Sequence, residues 1–483
     1  MEDRIVDVSS FSIRRAWGSL TPSNQKVLLK CLLVTSLSSL VLGYDIGIFS
    51  GVILFIQKDF NLSEVQIEIL AGSTHLIAAL GAIVAGIIAD KFGRKITLFI
   101  SSFIFMFGSL VAALSNDFWA LLIGRLILGI GIGFGLLNGP LYTGEISPTT
   151  LRGSLVTITE IAINVGILLG YLINFAFARW IPENLSWRFM LGVGFLPPLI
   201  TLPFSCVIPE SPRWLLAQHS TEATEEAHYN LKLILPNHDE IQERIDEITE
   251  LLKLRKPSFL ELFRRDSPHL KMLLIGFGIA FFQQGSGIEA AVYYTPITLE
   301  KAGITDQTQL LGVTLGIGVV KLLFIFVALF LMDRVGRRIL LLVGSAGLVL
   351  SLAILSTAFF INASPIVAIV GQFIFIASFS LGFGPAMWVF ASEIYPAYLR
   401  GIAQSIGIAI NRLISGLVAI SFLSLSKAIT TAGSYVFFGA IAFLGLVFVF
   451  FVVPETKGKS LEEIERDFIK NTEQKTWQKT ETQ

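Results

Sequence analysis

Six ionisable side chains, Asp45, Arg125, Glu160, Glu289, Lys321 and Arg412, stand inside long apolar stretches. On membrane-insertion scales each costs about 2.5–3.5 kcal/mol at the centre of an isolated helix, so they must face a cavity or one another. Their distances from the stretch ends place Asp45 and Arg125 about 16 and 11 Å below the same surface, close enough to meet. A guanidinium beside a carboxylate favours its charged form and desolvation favours the protonated one, so Asp45 is a group whose protonation geometry can switch. A static ion pair that fixes helix packing is the alternative, and a buried pair is weak evidence for stability by itself.

A second set lies in the other half of the chain. Glu289 and Lys321 sit at depths that agree within about two turns. Glu289 belongs to the run Gln283-Gln-Gly-Ser-Gly-Ile-Glu-Ala-Ala-Val-Tyr-Tyr294, in which 283, 287, 290 and 294 share one helical face and 286, 289 and 293 a neighbouring one. Amides, a carboxylate and phenols in that pattern suit a polyhydroxylated ligand, whose hydroxyls both donate and accept. Core tyrosines with satisfied hydroxyls are the competing explanation, and taken singly each residue reads better as that.

The elements that position these groups are membrane spans. Of 483 residues 53% are hydrophobic and 15% charged, and the apolar runs are each long enough to cross about 30 Å of hydrocarbon. The expected fold is all-α, with twelve spans at roughly 28–56, 67–89, 96–115, 118–141, 153–177, 187–208, 270–296, 308–332, 339–361, 366–391, 401–425 and 432–453. They divide the chain into an N-terminal segment 1–27, a six-helix bundle 28–208, a linker 209–269, a second six-helix bundle 270–453 and a tail 454–483. In the linker, Asp239 to Lys253 reads as an amphipathic helix. The first span is too long, and too far from Met1, for a cleaved leader.

Lys and Arg balance Asp and Glu at 36 each, so net charge names no partner. Their distribution is informative: Arg14, Arg15, the 91–95 loop, Arg152, the 213–271 segment, the 334–338 loop, Arg400, Lys457 and Lys459 fall on one side. The positive-inside rule makes that side the cytoplasm, with both termini there.

Two motifs recur. Glu145-Ile-Ser-Pro-Thr-Thr-Leu-Arg152-Gly153 returns as Glu393-Ile-Tyr-Pro-Ala-Tyr-Leu-Arg400-Gly401, and Asp90-Lys-Phe-Gly-Arg94-Lys95 as Asp333-Arg-Val-Gly-Arg337-Arg338. The chain is a duplicated bundle. Gly129, Gly131, Gly133 and Gly135 follow no strand and read as a helix-packing stripe, not a phosphate loop. Asn61, Asn184 and Asn362 head formal glycosylation sequons. Cys31 and Cys206 read as inert buried thiols, with no disulfide framework. The five histidines are scattered, His75 reading as a satisfied core residue, and with no metal-ligand spacing or nucleophile elbow an enzyme is not expected.

With these motifs in hand, the chain resembles the sugar porter family of the major facilitator superfamily over nearly its full length. Their order carries the match, together with Gly124-Arg125, Pro209-Glu-Ser-Pro-Arg-Trp-Leu215 and Pro454-Glu-Thr-Lys-Gly458. Within the family it looks most like proton-coupled polyol and monosaccharide transporters. The resemblance implies that Asp45 accepts the proton and pairs with Arg125, and that Gln283, Gln284, Tyr293, Tyr294 and Trp388 contact substrate. Where many family members carry amides or Gln-Trp, this chain has Glu160, Glu289, Lys321 and Asn411-Arg412, which points away from simple glucose specificity. Asp90, Arg94, Glu145, Arg152, Asp333, Arg337, Glu393 and Arg400 are expected to form a cytoplasmic charge network that holds the halves together. The resemblance thus implies a symporter, functional as a monomer in the plasma membrane, with no cofactor or metal and with a proton and a polyol or sugar as cargo. A uniporter of the same fold and a membrane nutrient sensor are the alternatives.

Overall fold

The computed structural model is described over residues 17–148, 151–253, 268–395, 400–457, 463 and 468. The first half contains α1 (Pro22–Asp59), α2 (Glu64–Phe92), α3 (Arg94–Ala113), α4 (Phe118–Ile146), α5 (Arg152–Trp180), α6 (Glu183–Val193) and α7 (Leu196–Val207). Three short helices follow, α8 (Pro212–Leu216), α9 (Thr221–Lys232) and α10 (His238–Lys253). The second half contains α11 (Pro268–Gly285), α12 (Ile288–Lys301), α13 (Gln307–Val335), α14 (Arg337–Phe360), α15 (Pro365–Leu381), α16 (Phe383–Ile394) and α17 (Arg400–Phe451).

Among the described residues ten helices are long and apolar enough to span a membrane. One of them, α17, carries non-helical backbone at Ile429 and Thr430 and therefore makes two spans, 11 and 12. Another span, the seventh, is divided into α11 and α12 at Ser286 and Gly287. Counted so, the fold has twelve spans. Its ends follow capping chemistry: Ser63 and Gln66 form a reciprocal capping box, and Asp117 and Asp306 accept the Ala120 and Gln309 amides at 2.8 and 3.0 Å. Each such cap satisfies an amide that the helix leaves without a partner.

Close helix contact within the first half depends on missing side chains. A Cβ on Gly43 would land on the Ile163 carbonyl, and one on Gly166 on the Leu40 carbonyl, so α1 and α5 meet backbone to backbone. The span 4 glycines serve two neighbours: Gly129 and Gly133 abut α2 at Thr74 and Ala78, while Gly131 abuts α3 at Phe105. Packing is the role expected of that stripe. Cys31 is buried, but Cys206 is exposed on the outer surface of α7, contrary to the expectation of a buried thiol. Trp119 and Trp180 are also exposed, at the ends of α4 and α5 away from the basic loops, where amphipathic rings suit a headgroup layer.

Candidate functional site

Asp45 on α1 and Arg125 on α4 meet as their depths predict, with Arg125 Nη1 2.6 Å from Asp45 Oδ1. Arg125 also donates from Nε to the Leu70 carbonyl at 3.2 Å and lies 3.9 Å from the centre of the Phe49 ring. The pair is incompletely satisfied. Asp45 Oδ2 and Arg125 Nη2 are buried without a hydrogen-bond partner in the protein. A buried pair repays its desolvation in full only when its remaining donors and acceptors are filled.

A polar cluster occupies the second half, where α11, α12, α16 and α17 approach. Helix breaks supply part of it: Gln283 donates to the Phe383 and Gly384 carbonyls at 2.9 and 3.1 Å, beside the break at Gly382. Asn411 donates to Gln283 Oε1 at 2.6 Å and accepts from Arg412 Nη2 at 2.6 Å and from Gln284 at 3.3 Å. Glu289 lies 3.8 Å from Arg412, in charge contact, and 3.9 Å from His75, both beyond hydrogen-bond reach. Lys321 is buried with Glu289 and Glu160 as its acidic neighbours, and Glu160 accepts from Asn164 at 3.3 Å.

Two expected ligand residues are placed differently. The Tyr294 hydroxyl donates to the Ala419 carbonyl at 2.6 Å, and its ring stacks on Phe422, so it anchors span 7 to span 11. Trp388 packs against a cluster of Ala82, Ala85, Phe134, Leu137 and Ile408 from both halves.

His75 and Glu68, both on α2, join the halves, and neither is among the site residues expected from sequence. His75 Nε2 is 2.8 Å from the Tyr293 hydroxyl and Nδ1 is 3.4 Å from Arg412 Nη1. Glu68 is buried near the end of α2 away from the basic loops, where it accepts the Ser424 amide at 2.8 Å and the Ser424 hydroxyl. Between them Gly72 meets the Gly416 backbone, so the halves are in close contact on that side.

On the basic face, Arg94 grips Glu145 with Nε and Nη2 at 2.8 and 3.1 Å, and its Nη1 lies 3.3 Å from Asp90. Ser211 donates to Glu145 at 2.6 Å. Glu210 caps α3, taking the Arg94, Lys95 and Ser211 amides at 3.0, 3.1 and 2.7 Å. Burial pushes the Glu210 carboxyl above its ordinary range, while those backbone donors pull it down. The second half repeats the device. Arg337 holds Glu393 at 2.8 Å, Thr456 donates to Glu393 at 2.6 Å, and Glu455 takes the Arg337, Arg338 and Thr456 amides at 3.0, 3.1 and 3.0 Å. Gly93 and Gly336 turn between the helices at φ 93° and 107°, and a Cβ on either would strike the capping carboxylate. Each of these bonds lies within one half or the other. The side chains of Asp333 and Arg400 lie outside those described.

Glu210→Ala should strand three amides and lower stability by about 1–3 kcal/mol, whereas Glu210→Gln, which keeps an acceptor, should lose less. Thermal unfolding of the detergent-solubilised protein measures both; equal losses would show that the caps contribute nothing specific.

Two similar six-span halves, with polar groups gathered where they meet, define a secondary transporter of the major facilitator fold. The chain belongs to the family described as "Sugar (and other) transporter", whose profile matches residues 31–468. It is 43% identical over 461 residues to "Probable polyol transporter 4" of Arabidopsis thaliana, covering 93% of this chain and 87% of the relative. It is 35% identical over 445 residues to "Glucose transporter GlcP" of Staphylococcus epidermidis, covering 91% and 97%. Among solved structures, the proton:xylose symporter XylE bound to 6-bromo-6-deoxy-D-glucose superposes with a TM-score of 0.79 at 28% identity, covering 92% of this chain and 100% of that one. The inward open conformation of XylE from E. coli gives 0.77 at 30% identity, covering 91% and 99%.

Proposed function

We propose that the protein is a proton-coupled symporter that imports polyols or monosaccharides by alternating access. The observation that carries this reading is the Asp45–Arg125 contact, a buried ion pair with one hydrogen bond between the two charges and a carboxylate oxygen without a partner. Proton entry neutralises Asp45, frees Arg125 and lets the halves rock. Similarity to polyol transporters and to XylE supports the same cargo. The protein works as a monomer in the plasma membrane, with its basic face and both termini in the cytoplasm, and carries out no catalysis.

Gln283, Gln284, Glu289, Tyr293, Asn411 and Arg412 line the ligand position, with Lys321 and Glu160 completing its charged rim. A linear polyol loses more conformational freedom on binding than a ring. Charge-assisted hydrogen bonds, worth roughly 1.5–3 kcal/mol each, offset that loss. The clusters around Glu145 and Glu393 stiffen the cytoplasmic ends of the halves, and Asp90, Arg152, Asp333 and Arg400 belong to the same gate.

Uptake of labelled sorbitol into proteoliposomes under an imposed proton gradient tests the proposal, with mannitol, inositol, xylose and glucose as competitors. Accumulation above the outside concentration and alkalinisation of the medium are the expected results. Equal final levels with and without the gradient would establish a uniporter instead.

A further inference from the structure

His75 does more than fill a packing site between the halves. It is fully buried on α2 of the first half, yet both of its ring nitrogens face side chains of the second. Arg412 carries donors only, so Nδ1, 3.4 Å from Arg412 Nη1, is the acceptor and the ring proton sits on Nε2. From Nε2 that proton is donated to the Tyr293 oxygen at 2.8 Å. Among the described residues this is the hydroxyl's one hydrogen bond, which leaves the Tyr293 proton to be given elsewhere. Its neighbourhood is Glu289, itself 3.9 Å from His75 and 3.8 Å from Arg412, distances at which a hydroxyl placed off the direct line meets both. The Phe49 ring packs edge-on against Tyr293 at 6.1 Å and limits its swing.

We infer that His75 is a positioning residue for substrate: by ordering Arg412 and Tyr293 it presents a guanidinium and a phenol donor to ligand hydroxyls, and it does so only when the halves are closed at α2 and α17. The inference rests on the proposed ligand position at Glu289, Tyr293 and Arg412. Its ligand class is a compound with adjacent hydroxyls, one accepting from Tyr293 and another donating to Glu289. Because the contact is made across the halves, a ligand at this position meets groups that are ordered only when α2 and α17 are together. His75 therefore bears on which substrates are carried as well as on how tightly they bind.

The test is substrate counterflow in proteoliposomes, which needs no net proton movement, with sorbitol as the probe and xylose and glucose as competitors. His75→Phe keeps an aromatic ring and removes both hydrogen bonds; it should raise the KM for sorbitol about tenfold and change the order of the competitors. His75→Gln, which supplies a donor and an acceptor, should stay within about threefold of the parent. Where the Phe variant does not reach the membrane fraction, His75→Asn, which is too short to span both partners, takes its place with the same expectation. An unchanged KM, or equal losses in the Phe and Gln variants with the competitor order preserved, overturns the inference. Glu289→Gln, assayed alongside, separates the two levels. No shift there removes the ligand position and the role of His75 together, while a shift there without one in His75→Phe removes only His75.

Discussion

Asp45→Asn is expected to abolish uphill uptake while leaving substrate exchange intact. Asparagine matches the neutral carboxyl in size but cannot release a proton, so the step that couples the gradient to rocking is lost. One positive charge crossing 100 mV contributes about 2.3 kcal/mol, enough for roughly forty-fold accumulation. That ratio should fall to unity in the variant, measured as internal against external sorbitol at steady state. An Asn variant that still concentrates substrate would remove Asp45 from coupling. Changing Arg125 is the poorer experiment. It would leave the carboxylate buried without its cation, at a cost of about 3–5 kcal/mol, and a folding defect would mask the transport effect.

Glu289→Ala should raise the KM for sorbitol by about ten- to hundred-fold, the equivalent of losing one charge-assisted hydrogen bond. Arg412→Ala should do as much, and it also withdraws two donors from Asn411. Because Glu289 and Arg412 are 3.8 Å apart, their effects are coupled, and the double variant should lose less than the two single losses combined. Lys321→Ala is expected to change the order of competing substrates more than the affinity for any one of them. If the competitor panel keeps its order in all three variants, the ligand does not sit among these charges.

The sequence announces the spans because lipid demands some twenty apolar residues for each crossing, and the acids and bases stand out against that background. The pairing of Asp45 with Arg125 follows from depth alone. Interruptions inside spans are harder to see. Gly194 and Gly382 sit at breaks in spans 6 and 10 within runs of uninterrupted hydropathy, Gly287 marks the break in span 7 within a polar run, and glycine is also abundant in intact helices of this chain. His75, a lone histidine in a span, reads as core. A signal exists nonetheless, since Glu68, Gly72 and His75 fall at positions i, i+4 and i+7 and so share one face of α2. A polar stripe with a glycine between its members indicates a tight, hydrogen-bonded neighbour. That the neighbour is span 11 of the other half is set by tertiary arrangement, to which local spacing is blind. The motifs beginning at Pro209 and Pro454 stand out as signatures, but the bonds their glutamates make depend on helix ends far away in sequence.

Those two glutamates have a mechanical consequence. Glu210 arrives just after the last helix of its half and fastens to the first turn of the third, and Glu455 does the same in the other. Each fastening closes the last four of six rods into a loop, and a closed loop resists shear among its members. Force arising at the centre of the molecule is then delivered to the joint between the lobes instead of being spent on bending either one.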